Sequence, residues 1–125
     1  MIRRPTRRAC PLLVAFVLLL APIVADAHAK LARSDPPAGS TLRGTPPELR
    51  LWFTENLEPT FSGARLVDGE RRPVDGATAR VDAANAALLR LSLPTLAVGR
   101  YTVVYRVVSV DSHVTTGELN FRVAR

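Results

Sequence analysis

Sulfur is nearly absent from this sequence. Of its 125 residues one is Cys and one is Met, and both, Cys10 and Met1, fall within the first 27. Residues 28–125 therefore hold no thiol and no thioether. That excludes disulfides, thiolate catalysis, zinc fingers and iron–sulfur clusters from this part of the chain. Lysine is equally scarce: Lys30 stands alone. Beyond residue 27 no basic run exceeds Arg71-Arg72, and the aromatics are not interleaved with arginine in the pattern of a nucleic-acid-binding face. Long apolar runs are missing too, with one exception, Pro11 to Ala25.

That exception has the layout of a secretory signal peptide. Arg3, Arg4, Arg7 and Arg8 supply a basic start, and Ala25-Asp26-Ala27 places small residues where signal peptidase reads them. As a helix rising ~1.5 Å per residue the run would span only about 22 Å. A bilayer core needs about 30 Å, and Pro22 interrupts the run. Residues 1–27 are thus predicted to be a cleaved leader, and residues 28–125 one exported domain, long enough to bury a core without staples and not embedded in a membrane. The charge changes accordingly. The whole chain has 17 basic and 11 acidic residues, a formal +6. Four of the former (Arg3, Arg4, Arg7, Arg8) and one of the latter (Asp26) lie in the leader, which leaves 13 and 10, a net +3. That is an ordinary mixed surface and predicts no nucleic-acid partner.

What remains reads as all-β. Glu48 to Phe53 alternates, with Leu49, Leu51 and Phe53 on one face. Ala64 to Val67 is a short strand that ends in the turn Asp68-Gly69, and Pro73-Val74-Asp75-Gly76 marks another turn. Leu88 to Leu93 groups Leu89, Leu91 and Leu93. Tyr101 to Val108 is rich in Val and Tyr, as a central strand would be. Glu118 to Val123 points Leu119, Phe121 and Val123 inward, and a first strand is expected near Ala29 to Arg33. Only Val81 to Ala87 has the character of a helical turn. About seven strands with turn signals at this spacing predict a Greek-key β-sandwich. Leu96-x-x-Gly99-x-Tyr101 has the form of a tyrosine corner, a scaffold feature.

Two histidines carry the chemistry. Cleavage after Ala27 would make His28 the first residue of the exported chain. Its α-amine and imidazole Nδ1 could then close a six-membered chelate on one metal ion, which displaces the amine proton near neutral pH. His113 follows the long Tyr101–Val108 strand, two residues after Asp111. In an extended segment residues i and i+2 point to the same side, which would aim a carboxylate and an imidazole at one point. Glu55 stands at another strand end, just after Phe53 and Thr54. All these donors are nitrogen or oxygen. Such a set favours Cu(II), with zinc the obvious competitor. Ca²⁺ and Mg²⁺ are poor matches for two imidazoles.

At these residues the sequence resembles the periplasmic copper-binding proteins of the CopC type. The matching stretches begin at His28-Ala-Lys-Leu and Ser34-Asp-Pro-Pro-Ala-Gly-Ser. They continue through Leu51-Trp-Phe-Thr-Glu-Asn-Leu, Phe61-Ser-Gly-Ala-Arg-Leu-Val, Gly99-Arg-Tyr through Val110-Asp-Ser-His113, and Thr116-Gly-Glu-Leu-Asn-Phe. The resemblance implies an immunoglobulin-like or cupredoxin-like Greek-key sandwich or barrel with one Cu(II) site near one end. It assigns amine and imidazole to His28, a second imidazole to His113, and an axial or near-axial carboxylate to Asp111. Glu55 matches a residue that the resemblance places near that site. The implied function is a soluble periplasmic carrier or buffer in copper resistance, with a CopD-type inner-membrane importer as partner; a monomer is expected. Some members also bind Cu(I) through a Met-rich loop. The corresponding stretch here, Leu66 to Gly76, has no Met, so no Cu(I) site of that kind is expected.

Two other readings compete with the carrier. A copper oxygenase that cleaves polysaccharides also uses an N-terminal His with a second His, but it needs an extended substrate face and an open metal position. A domain of this size offers little of the former, and two carboxylates would crowd the latter. A metal-free immunoglobulin-like interaction module would bind Cu(II) no better than a free peptide.

Overall fold

The computed structural model describes residues 28–125; the leader expected at residues 1–27 lies outside the described residues. Eight strands follow in order: β1 Leu31–Asp35, β2 Thr41–Arg43, β3 Glu48–Phe53, β4 Gly63–Asp68, β5 Thr78–Val81, β6 Leu88–Ser92, β7 Gly99–Val108 and β8 Val114–Ala124. They form two four-stranded sheets, β1-β3-β6-β5 and β2-β8-β7-β4. All pairs are antiparallel except β2 with β8. Consecutive strands repeatedly change sheet, as in a Greek-key sandwich, and the all-β expectation holds.

The core lies between the sheets, and period-two alternation builds it. Leu49, Leu51 and Phe53 of β3 face Leu66 of β4, Val103, Tyr105 and Val107 of β7, and Leu119 and Phe121 of β8; all are buried. Leu89 and Leu91 of β6 complete the first layer. Aromatic contacts tie the layers together: Phe53 meets Tyr105 edge-on at 5.4 Å, and Tyr101 stacks on Phe121 at 5.6 Å. The Tyr101 hydroxyl donates to the Ala97 carbonyl at 2.7 Å, which is the tyrosine corner expected from the sequence.

Four details differ from expectation, each for a local reason. The first strand is displaced toward the C-terminus, because Ser34 and Asp35 pair with Leu51 and Arg50 after an irregularity between Leu31 and Arg33. Strands β2 and β5 are additions. With three and four residues they are too short to show alternation, and the ladders of β8 and β6 hold them in place. Val81–Ala87 contains no helical turn. The Asp82 carboxylate accepts from the N–H groups of Ala84 (3.1 Å) and Asn85 (2.9 Å), and Asn85 accepts from Ala87. Short polar side chains compete with helical hydrogen bonding in this way. Finally, β8 starts at Val114, four residues before the expected Glu118, because Val108↔Val114 closes the long β7–β8 ladder.

Candidate metal centre

Three pieces of chain meet at the end of the sandwich where β3 and β7 terminate. The first is the stretch that leads into β1. Ala29 is fully buried and anchors it, while His28 and Lys30 on either side are exposed. Thr54, immediately past β3, latches this stretch on. Its N–H donates to the Lys30 carbonyl at 2.8 Å. Its hydroxyl oxygen accepts from the Lys30 N–H at 2.9 Å and donates to the His28 carbonyl at 3.4 Å.

The second piece is 54–58. Leu57 is buried and its N–H donates to the Ala86 carbonyl, while the Glu58 N–H donates to the Val108 carbonyl at 2.8 Å. This segment thus crosses from one sheet to the other. The third is the β7–β8 turn. Buried Ser109 organises it: its N–H donates to the His113 carbonyl at 3.0 Å, and its hydroxyl oxygen lies 3.3 Å from the His113 N–H. The Val110 N–H donates to the Asn56 carbonyl at 3.1 Å, so the turn is bonded to the middle segment. Ser112 has φ +68°, an uncommon value for a residue with a side chain, and it brings the chain round to His113.

The two imidazoles converge. His28 and His113 have ring centroids 4.7 Å apart, with planes tilted by 55°. Metal–nitrogen bonds of about 2.0–2.1 Å put two donors on one ion within ~4 Å of each other. Rings at this separation reach that with side-chain rotation. Both rings are exposed and have only nitrogen to offer, a donor set suited to a borderline divalent ion.

The carboxylates are placed differently. Among the described residues, no group of three or more His, Cys, Asp or Glu side chains is arranged to hold a metal ion. Asp111 is exposed within the turn. The extended geometry used to align it with His113 does not exist here, since Val110 and Asp111 form a turn and Ser112 is left-handed. Glu55 is half-buried at the end of β3, where the sequence placed it. Sequence reasoning missed Thr54 and Ser109, whose role is to position the histidine-bearing segments. Their one sequence signal is adjacency to strand ends, which many hydroxyl residues share.

Comparison with known proteins settles the lineage. The CopC domain family matches residues 31–124. The chain belongs to the CopC family. Copper resistance protein C of Pseudomonas syringae pv. tomato is 34% identical over 111 residues, which cover 84% of this chain and 87% of that protein. Two solved structures align with this CopC-family chain. CopC from Methylosinus trichosporium OB3b has a TM-score of 0.72 and 32% identity, over 77% of this chain and 93% of that one. PcoC from Escherichia coli, described as a methionine-rich copper resistance protein, has a TM-score of 0.68 and 33% identity, over 78% and 100% of the two chains. The matched region of this CopC-family chain contains no methionine.

Proposed function

We propose that this chain is an exported carrier or buffer that binds one Cu(II) ion through His28 and His113. Family membership supports the general role, a periplasmic copper-binding protein of copper resistance, and favours a carrier over an enzyme. Residues 1–27 act as a leader. Their removal after Ala27 frees the His28 amine, which chelates with its imidazole while His113 adds a second ring. Asp111, exposed in the same turn as His113, would supply a carboxylate oxygen, and Glu55 at the end of β3 would stand near the site. The exported chain is a monomer and passes its ion to a membrane acceptor of the CopD type. With no thioether in residues 28–125, the donors favour Cu(II) over Cu(I).

The observation that carries this reading is the 4.7 Å separation of the two imidazoles, brought together from opposite ends of the domain. The hydrogen bonds that hold both segments support it, because a site that is held in place loses less entropy on binding. Cu(II) titration of the chain that begins at His28, against one with an extra N-terminal residue, tests the proposal. Blocking the amine should weaken binding by orders of magnitude. Equal affinities for the two forms would remove the chelate.

A further inference from the structure

The outer faces of the two sheets use their charges differently. On the β1-β3-β6-β5 sheet the register sets Arg50 beside Arg90 and Arg90 beside Arg80. Carboxylates sit among them. Glu48 accepts from Arg50 at 2.8 Å and from Arg90 at 3.1 Å, and Asp82 meets Arg90 at 2.8 Å. Arg33 lies 3.8 Å over the Trp52 ring.

The β2-β8-β7-β4 sheet has less of this compensation, with Glu118 and Asp68 as its carboxylates. Buried Tyr101, Val103, Tyr105 and Val107 alternate along β7 with Arg100, Thr102, Val104 and Arg106, so the latter face outward. Arg65 on β4 and Arg122 on β8 face the same way, paired in register with Val104 and Arg100. Among the described residues none of these four arginines forms an ion pair. Glu118, in the middle of the face, pairs with Arg71 at 2.6 Å and also feels the charge of Arg65 more weakly. Asp68, at its rim, accepts the N–H groups of Glu70 and Arg72 at 2.9 Å each. Arg100 and Arg122 stand directly opposite one another, a like-charge arrangement that costs stability.

Two open grooves follow this face. One, of about 480 Å³, is lined by Arg71, Arg100 and Arg122 together with Asn120. The other, of about 530 Å³, is lined by Arg65, Arg106 and Phe61. Phe61 is 63% exposed, and its carbonyl accepts from Arg106 at 3.5 Å. This second groove lies at the histidine end, since β4 begins there opposite Arg106 and β7 runs on into the turn that holds His113. Exposed Val110 and Val114 flank that turn.

We propose that the outer face of the β2-β8-β7-β4 sheet is a docking surface for an acidic protein, with Phe61 as its apolar anchor at the histidine end. Planar guanidinium groups match carboxylates through paired hydrogen bonds. The arginines sit in concave grooves on either side of the Arg71–Glu118 pair. Projecting carboxylate side chains of a protein can enter two separate grooves, and an apolar side chain can meet Phe61 beside the second, whereas a flat bilayer surface offers no such relief. The proposal does not depend on copper, so its test is run without metal and its failure is separate from failure of the copper site.

The probe is a short poly-glutamate peptide with a central leucine pair, titrated into the isotope-labelled chain at low ionic strength and followed by amide chemical shifts. Shifts should concentrate on β4, β7 and β8. Arg100→Gln with Arg122→Gln should weaken binding about tenfold, and Arg65→Gln with Arg106→Gln comparably. Phe61→Ser should lower affinity, while Arg50→Gln should leave it unchanged. The proposal is overturned if the peptide fails to bind, if shifts centre on the other sheet, or if the arginine variants bind as before. Tighter binding to phosphatidylglycerol vesicles than to the peptide would also overturn it and assign the face to a membrane.

Discussion

Gly117 sits inside strand β8 for a reason that can be tested. It faces inward on β8, directly opposite Tyr105 on β7. A Cβ added at Gly117 would lie 2.9 Å from Cε2 of Tyr105 and closer still to Cζ and the hydroxyl. Those atoms belong to a buried ring that meets Phe53 edge-on at 5.4 Å, so moving them disturbs that contact. Gly117→Ala should therefore displace the ring. Overpacking of this kind costs about 1–3 kcal/mol, and loss of the edge-to-face contact adds about 0.5–1.5 kcal/mol. The smaller entropy of an unfolded alanine returns about 0.4–1 kcal/mol. The net is a destabilisation of about 2 kcal/mol, or roughly 10 °C in Tm for a domain of this size. Urea unfolding followed by Trp52 fluorescence should show a lower midpoint with an unchanged slope. Tyr105→Leu in the same chain should recover part of the loss, with a coupling of about 1 kcal/mol or more. A Gly117→Ala chain as stable as the parent would refute the packing argument.

Other outcomes follow from the same structure. Thr54→Val removes the hydroxyl that holds Lys30 and His28. It should lower Cu(II) affinity about tenfold, as loss of a supporting group around a metal site does, with a stability loss of about 1 kcal/mol; Thr54→Ser should restore binding. Acid should destabilise the fold. The Arg50 hydrogen bond, with the nearby charge of Arg90, holds the Glu48 carboxyl below the usual glutamate range, and Arg71 does the same for Glu118. A carboxyl depressed in the folded state contributes stability that is complete above its unfolded pKa and is lost as pH falls through its folded one. Stability should thus decline below about pH 4.3, and Glu48→Gln should flatten that decline in unfolding curves taken at several pH values.

How much of this was legible in the residues depended on range. Alternation in Glu48–Phe53 and Glu118–Val123 identified core faces, because side chains on a strand alternate whatever the strand pairs with. Gly117 hid the first part of β8, since a glycine reads as a break unless the ring that covers it is known. Strand β2 was invisible for a related reason: three residues carry no period, and its partner lies about eighty residues away. The histidines could be named as donors from their types and positions, yet their proximity depends on hydrogen bonds from Thr54 and Ser109 that no spacing encodes. Asp111 shows the converse. Its i, i+2 relation to His113 was read as that of an extended segment, but the chain turns there and Ser112 is left-handed, so the spacing does not carry that meaning.

The central claim is that His28 and His113 hold the same ion, and electron paramagnetic resonance addresses it directly. The chain that begins at His28 is loaded with one Cu(II), with histidine isotopically labelled at the ring nitrogens. Couplings from two imidazoles should appear, and one of them should vanish in His113→Ala. A spectrum without histidine couplings, or one that His113→Ala leaves unchanged, would contradict the shared site.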